Sequence, residues 1–184
     1  LPMVKHKIGE IKILNSNNLT FIESRLEVGE EQAVPLINQS HNLIDKDYSH
    51  IKYQFFDCPP GNACPLLAAV KPVDFVVLVT EPTPFGLSDL KIAVDTVRYL
   101  KKPLGVVINR YSNSFSEIEK YCEKEDVNIL TKIPFDIKIA ELYSKGILIY
   151  DKIKGLDNCL DEIMKNIETI ITKEQYARNS YNIG

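Results

Sequence analysis

The feature that most limits what this chain can fold into is its alternation of two kinds of pattern. Short runs rich in β-branched and aromatic residues read "YQFFD" (53–57), "DFVVLVT" (74–80), "LGVVIN" (104–109) and "VNILTKI" (127–133). Between and around them lie stretches with helical periodicity, at about 31–44, 62–70, 86–101, 114–125, 136–145 and 156–172. The strand runs are apolar at successive positions, so both of their faces need cover, which a parallel sheet between helical layers provides. The expected fold is α/β: a mostly parallel sheet covered by helices on both faces, a three-layer sandwich. The 184 residues suit one such domain, expected to span 1–184. Ahead of the first run, "IGEIKIL" and "LTFIESRLEVG" alternate only weakly.

In an open α/β sheet, ligands bind beyond the carboxyl ends of the strands. Those ends read Asp57-Cys58-Pro59-Pro60-Gly61, Thr80-Glu81-Pro82, Asn109-Arg110 and Pro134-Phe135-Asp136. Gly86 is expected to open one helix, Asn113 and Ser114 to cap the next, and Asp136 to cap a third. An acid at a strand tip can hold Mg²⁺ through water, because a hard cation wants oxygen ligands and keeps much of its hydration. The amide of Gly61 would then face a terminal phosphate, since glycine allows close backbone approach. The plainer alternative is an Asp-capped turn with Pro-Pro-Gly as punctuation.

Charge and cysteines narrow the field. A net charge of −3 gives no electrostatic case for nucleic acid or an anionic membrane. The longest apolar runs, such as "FVVLV" (75–79), are too short to span a bilayer, and "LPMVKHKIGE" lacks the apolar stretch of a signal peptide. The expectation is a cytoplasmic protein, with no nucleic-acid and no membrane partner, and the opening Leu1 points to sequence upstream. Cys58, Cys64, Cys122 and Cys159 show no two-residue spacing, and His6, His41 and His50 add no ligand cluster. Cys58, Cys122 and Cys159 are expected to be buried thiols. A last helical stripe of Leu156, Leu160, Ile163, Met164, Ile167, Ile170 and Ile171 is expected to pack in the core.

Four ordered motifs, "DCPPGNACP", "VTEPTPFGLSDLKIAVDTVRYL", "GVVINR" and "IPFDIKIAELYSKGI", together resemble the deviant P-loop ATPases of the MinD/ParA superfamily, relatives of the nitrogenase iron protein. The likeness runs from about Ile8 to Asp151. It is greatest to the branch that carries an inserted ferredoxin domain, where "LEVGEEQAVPLI" (26–37) also has a counterpart. The resemblance implies that Asp57 is the Walker B acid serving Mg²⁺ and Gly61 the switch II glycine that senses the γ-phosphate of ATP. It implies that Asn109 recognises the adenine edge with Arg110 beside it, and that Pro134, Phe135 and Asp136 wall the base and ribose. An Asn amide offers a donor and an acceptor, as an adenine edge requires. Cys64, seven residues after Asp57, matches a cluster-ligating cysteine of the nitrogenase iron protein. No second cysteine precedes Asp57, so a buried or interface thiol is preferred to cluster ligation there.

Two parts of the family pattern have no counterpart. None of the glycines is followed by Lys-Ser or Lys-Thr, so the chain holds no Walker A sequence, and the ferredoxin insert with its 4Fe–4S clusters is absent. By resemblance both lie upstream of Leu1, which makes the chain look like the C-terminal portion of such an ATPase. Two readings follow. One is an ATP-binding domain of a MinD-like ATPase coupled to iron–sulfur, redox or metallocluster chemistry. It would be an ATP hydrolase and an ATP-dependent homodimer when intact, with a redox or metallocluster protein as partner, and inactive as this chain alone. The other is a truncated, nucleotide-free module for protein interaction. A receiver domain shares the strand-end Asp, Thr80 and Lys102-Pro103 but lacks the acidic pair after a first strand. By resemblance, the strand entering the Walker A loop would lie between 53–57 and 74–80, and some segment is expected to fill that slot.

Overall fold

The structure is a computed structural model that describes residues 6–58 and 64–181. It forms two compact units, residues 1–73 and 74–184.

The first unit begins with two antiparallel strands, β1 (Gly9–Ser16) and β2 (Leu19–Leu26), in register from Gly9 opposite Leu26 to Ser16 opposite Leu19. The two residues left between them make the tight turn, and Asn17 takes the left-handed conformation there (φ 48°), which such hairpin turns favour for asparagine. The weak alternation of the sequence thus encodes a hairpin. Helices α1 (Ala33–Asp47) and α2 (Cys64–Val70) pack on each other, burying Leu36 and His41 from α1 and Ala69 and Val70 from α2. His41 stacks on Phe56 with ring centroids 4.8 Å apart.

One expected strand is not there. Residues 53–58 form no regular element, and Tyr53 and Phe55 are 43% and 81% exposed. An apolar run becomes a strand only when its backbone amides and carbonyls find a ladder partner, and this segment pairs with no strand among the described residues. Asp57 therefore does not sit on a strand tip.

The second unit holds the expected parallel α/β sheet. Its elements are β3 (Val76–Thr80), α3 (Pro84–Tyr99), β4 (Leu104–Tyr111), α4 (Glu117–Lys124), β5 (Ile129–Pro134), α5 (Ile137–Ser144) and α6 (Leu156–Tyr181). The strands run in the order β3-β4-β5, with β4 paired on both sides. Val106 and Ile108 of β4 are wholly buried in a core with Leu90 and Val94 of α3 and Ile118 and Cys122 of α4. At roughly 25 cal/mol per Å² of apolar surface removed from water, this cluster is the main source of the unit's stability.

The helix starts differ in detail from the sequence expectation. Asp136 caps α5 as expected, accepting from the Lys138 amide at 2.8 Å. Helix α3 starts at Pro84, before Gly86, capped by Thr83. Helix α4 follows Ser116 rather than Asn113 or Ser114, and the hydroxyls of Ser112 and Ser114 bond each other instead, 2.7 Å apart.

The two outer strands are treated unequally. Helix α6 lies along β5, where Asn166 Nδ2 donates to the Leu130 carbonyl at 2.7 Å and the Thr131 hydroxyl donates to Glu162. Strand β3 pairs only with β4 among the described residues, and its Val77 and Val79 are 39% and 65% exposed. The stripe of α6 is covered less than expected: Leu156 is buried, Leu160 is exposed and the isoleucines are half-buried.

Candidate functional site

Parallel pairing places the ends of β3, β4 and β5 side by side, Thr80 opposite Ile108 and Tyr111 opposite Pro134. Between Ile108 opposite Lys132 and Tyr111 opposite Pro134, β4 advances three residues while β5 advances two. The extra residue on β4 is a bulge, a device that re-aims side chains. Asn109 and Arg110 form it. Arg110 adopts a left-handed backbone (φ 52°), which costs a residue with a side chain about 1–2 kcal/mol. The Asn109 side chain supports it, accepting from the Arg110 amide with Oδ1 at 3.0 Å.

The Arg110 guanidinium lies 3.5 Å from Glu81 Oε1 and 5.5 Å from the centre of the Phe135 ring. The Phe135 amide donates to the Tyr111 carbonyl at 3.1 Å, and Asp136 is committed to its cap. The five base-side residues of the sequence reading, Asn109, Arg110, Pro134, Phe135 and Asp136, thus stand on two adjacent strand ends. Glu81, one residue past β3, joins them through Arg110. Sequence reading placed Glu81 at a strand end but gave it no role, because its partner is 29 positions away.

Beside this edge, a cleft of about 360 Å³ is lined by Thr80, Glu81, Thr83, Gly86, Asp89 and Asn109, among others. Its floor is tight. The Thr80 hydroxyl donates to the Gly86 carbonyl at 3.0 Å, and the Gly86 amide donates to Thr83 Oγ1 at 2.9 Å. A Cβ at position 86 would lie 2.3 Å from the Glu81 carbonyl oxygen, so only glycine fits. On the far side of the bulge, Lys132 lies 3.1 Å from Glu119 Oε1 and 4.6 Å over the Tyr111 ring. Burial works to raise the Glu119 carboxyl, but its own backbone amide and the Lys132 ammonium outweigh it and hold the group below the usual range. This trio draws on three elements, and nothing local in the sequence announces it.

The residues expected on the metal side fall within the first unit. Asp57 is exposed in the irregular segment 53–58, one residue after the Phe56 that stacks on His41. Gly61 lies outside the described residues, as do Pro59 and Pro60. Cys64, the first residue of α2, is exposed. A lone exposed carboxylate suits Mg²⁺, which is held by one or two carboxylates and keeps several waters. Among the described residues, no three His, Cys, Asp or Glu side chains gather as a ligand set for a metal ion. Of the three thiols expected to be buried, only Cys122 is fully so, and burial pushes its pKa up to about 11. Cys58 and Cys159 are half-buried. Burial, and then the charge of Asp57, raise the Cys58 thiol above its ordinary value. Among the described residues, no helix is long and apolar enough to cross a membrane.

No protein-family model matches the chain. An uncharacterized protein of Methanocaldococcus jannaschii is 31% identical over 162 residues, covering 86% of this chain and 55% of that protein. An iron–sulfur cluster carrier protein of Pyrococcus horikoshii is 29% identical over 143 residues, covering 66% of this chain and 48% of the carrier. The chain spans about half the length of these curated relatives. Among solved structures, the MinD cell division protein of Aquifex aeolicus aligns with a TM-score of 0.61 at 18% identity, over 79% of this chain and 64% of the other. The fold is that of the MinD/ParA-type P-loop ATPases, and the sequence is similar to that of iron–sulfur cluster carriers.

Proposed function

Starting from a chain with a MinD/ParA-type fold and a sequence similar to iron–sulfur cluster carriers, we propose that it is the ATP-binding portion of a MinD-like ATPase that serves iron–sulfur or metallocluster chemistry. The observation that carries this reading is the bulge at Asn109-Arg110. It sets the Asn109 amide against the Arg110 backbone and the Arg110 guanidinium over the Phe135 ring, at the strand ends where α/β folds bind ligands. The Asn109 amide reads the edge of the adenine, Pro134 and Phe135 give it an apolar wall, and Asp136 fixes the start of α5 next to that wall.

On the metal side, Asp57 would hold Mg²⁺ through its water shell, and Mg²⁺ would supply positive charge to offset that of the phosphates. The amide of Gly61 would face the terminal phosphate. A cluster is cargo in this reading, handed to a partner protein, and Cys64 is an exposed thiol suited to an interface between two copies. In this reading, hydrolysis, the ATP-dependent homodimer and the phosphate-binding loop belong to a longer protein.

Without a phosphate cradle, several charge-assisted hydrogen bonds of about 1.5–3 kcal/mol each are missing, so this chain alone should bind ATP only in the millimolar range. A titration of the ¹⁵N-labelled chain with ATP and Mg²⁺ should move the amide signals of 109–111 and 135–137. Asn109→Ala should weaken binding by about tenfold and blur adenine against guanine. Signals that move elsewhere, or an Asn109→Ala chain with unchanged base preference, would overturn the base assignment. The exposed Val77 and Val79 of β3, which pairs only with β4 among the described residues, favour a second reading, a nucleotide-free interaction module, whose mark would be a spectrum silent to nucleotide.

A further inference from the structure

Among the described residues, four that carry side chains have left-handed backbones: Asn17, Lys101, Arg110 and Asp126. Asn17 makes the hairpin turn. Lys101 and Asp126 follow the ends of α3 and α4, where their amides bond the Arg98 and Glu123 carbonyls at 2.9 and 3.3 Å, an ordinary setting for this conformation. Arg110 differs, because it lies inside a strand. A left-handed bulge position is natural to glycine. An arginine held there marks a site where the side chain's contacts offset the backbone cost.

Those contacts are specific. The guanidinium meets Glu81 at 3.5 Å and covers the Phe135 ring at 5.5 Å, so one side chain ties together the ends of all three strands of the sheet. The pair is roughly half exposed, 58% for Arg110 and 46% for Glu81, and so attracts only weakly. Its effect is to orient. A guanidinium held over an aromatic ring is itself a planar surface, and a planar base stacks on a guanidinium as readily as on a ring.

We propose that Glu81 is a positioning residue for the base site. It steers Arg110 onto Phe135, so that ring and guanidinium make one stacked wall beside the Asn109 amide, and the purine lies against that wall. This rests on the nucleotide reading above. Glu81 does not touch the base, and its whole contribution passes through Arg110.

The test uses adenosine, a probe without phosphates, and the ¹⁵N-labelled 184-residue chain. The side-chain Nε–H signal of Arg110 should be displaced by the Phe135 ring current and should move again as adenosine is added. Glu81→Gln should abolish the displacement and weaken adenosine by about three- to fivefold, with Glu81→Asp recovering part of both. Arg110→Gln should weaken adenosine at least as much, and adding Glu81→Gln to Arg110→Gln should change nothing further. Amide signals of β4 that stay in place in each variant will report an intact sheet, as these exposed positions allow. If Glu81→Gln binds adenosine like the parent chain, or weakens it equally with Arg110 already replaced, the positioning role is wrong and the base site stands. If adenosine leaves the Asn109 and Phe135 signals of the unaltered chain unmoved, the base site falls and the positioning role with it.

Discussion

Replacing Gly105 by alanine adds one methyl group where there is no room for it. A Cβ at 105 would lie 2.6 Å from Leu130 Cδ2, 2.7 Å from Cγ and 3.0 Å from Cδ1. Carbon atoms rest at about 3.5–4.0 Å, so the leucine must retreat by about 1 Å. Its Cγ is the fork of the side chain and moves only if χ1 or the backbone moves. Leu130 is 1% exposed, so its side chain cannot simply swing into solvent. Overpacking of this kind costs about 1–3 kcal/mol, while exchanging glycine for alanine in a strand returns roughly 0.5–1 kcal/mol. Gly105→Ala should therefore destabilise by about 1–2 kcal/mol. Leu130→Ala alone should cost about 2–5 kcal/mol, as a buried leucine truncation does. It also removes all three atoms that the new methyl would meet. On that background Gly105→Ala should turn neutral or stabilising, and the double variant should lose less than the sum of the singles. Urea melts of the four chains by far-UV circular dichroism, with hydrogen exchange at the Val106 and Val107 amides, measure this cycle. A double loss equal to the sum within about 0.5 kcal/mol would refute the contact as the cause.

Two further outcomes follow from groups whose surroundings are clear. Burial holds the His41 imidazole below its ordinary value of 6.5, so the unfolded chain takes up a proton on acidification before the folded one does. This contribution to stability is complete above about pH 6.5 and declines as the pH falls below it; urea midpoints at pH 7.5 and 5.5 should differ more for the parent chain than for His41→Phe, and equal differences would clear His41. With a thiol reagent at pH 8, exposed Cys64 should react at once, while Cys122, buried and with its pKa near 11, should react only on unfolding. Labelling of both at one rate in the folded chain would contradict the buried position of Cys122.

Much of this architecture could be read from local pattern. The runs at 74–80, 104–109 and 127–133 gave β3, β4 and β5 because short β-branched, apolar runs bounded by turn residues and helical stretches read as strands of a parallel sheet. The cap at Asp136 was readable because its partner is two residues away. What escaped depends on register and on distant partners. Residues 53–57 have a strand's composition and no ladder neighbour among the described residues. The hairpin of β1 and β2 exposes Leu14, Leu19 and Phe21, so its alternation was blurred. The bulge exists only as a mismatch of steps between β4 and β5, which no window on one strand contains. Asn109 and Arg110 stand out in the sequence at a strand end, but that Arg110 bends the strand and reaches Glu81 needed three dimensions.

The unequal treatment of the sheet's two margins gives it a direction of growth. On the β5 side, Asn166 and Glu162 of α6 already engage the outer strand, so an incoming chain would have to evict a helix before it could zip on. On the β3 side, no strand pairs with the outer edge among the described residues, and Val77 and Val79 are exposed. Whatever lengthens this sheet, a neighbouring segment in a working assembly or a stray chain in an overcrowded solution, should enter by the same door. Charged residues placed at Val77 and Val79 would therefore act as a one-sided stopper, halting extension there and leaving the opposite margin as it is.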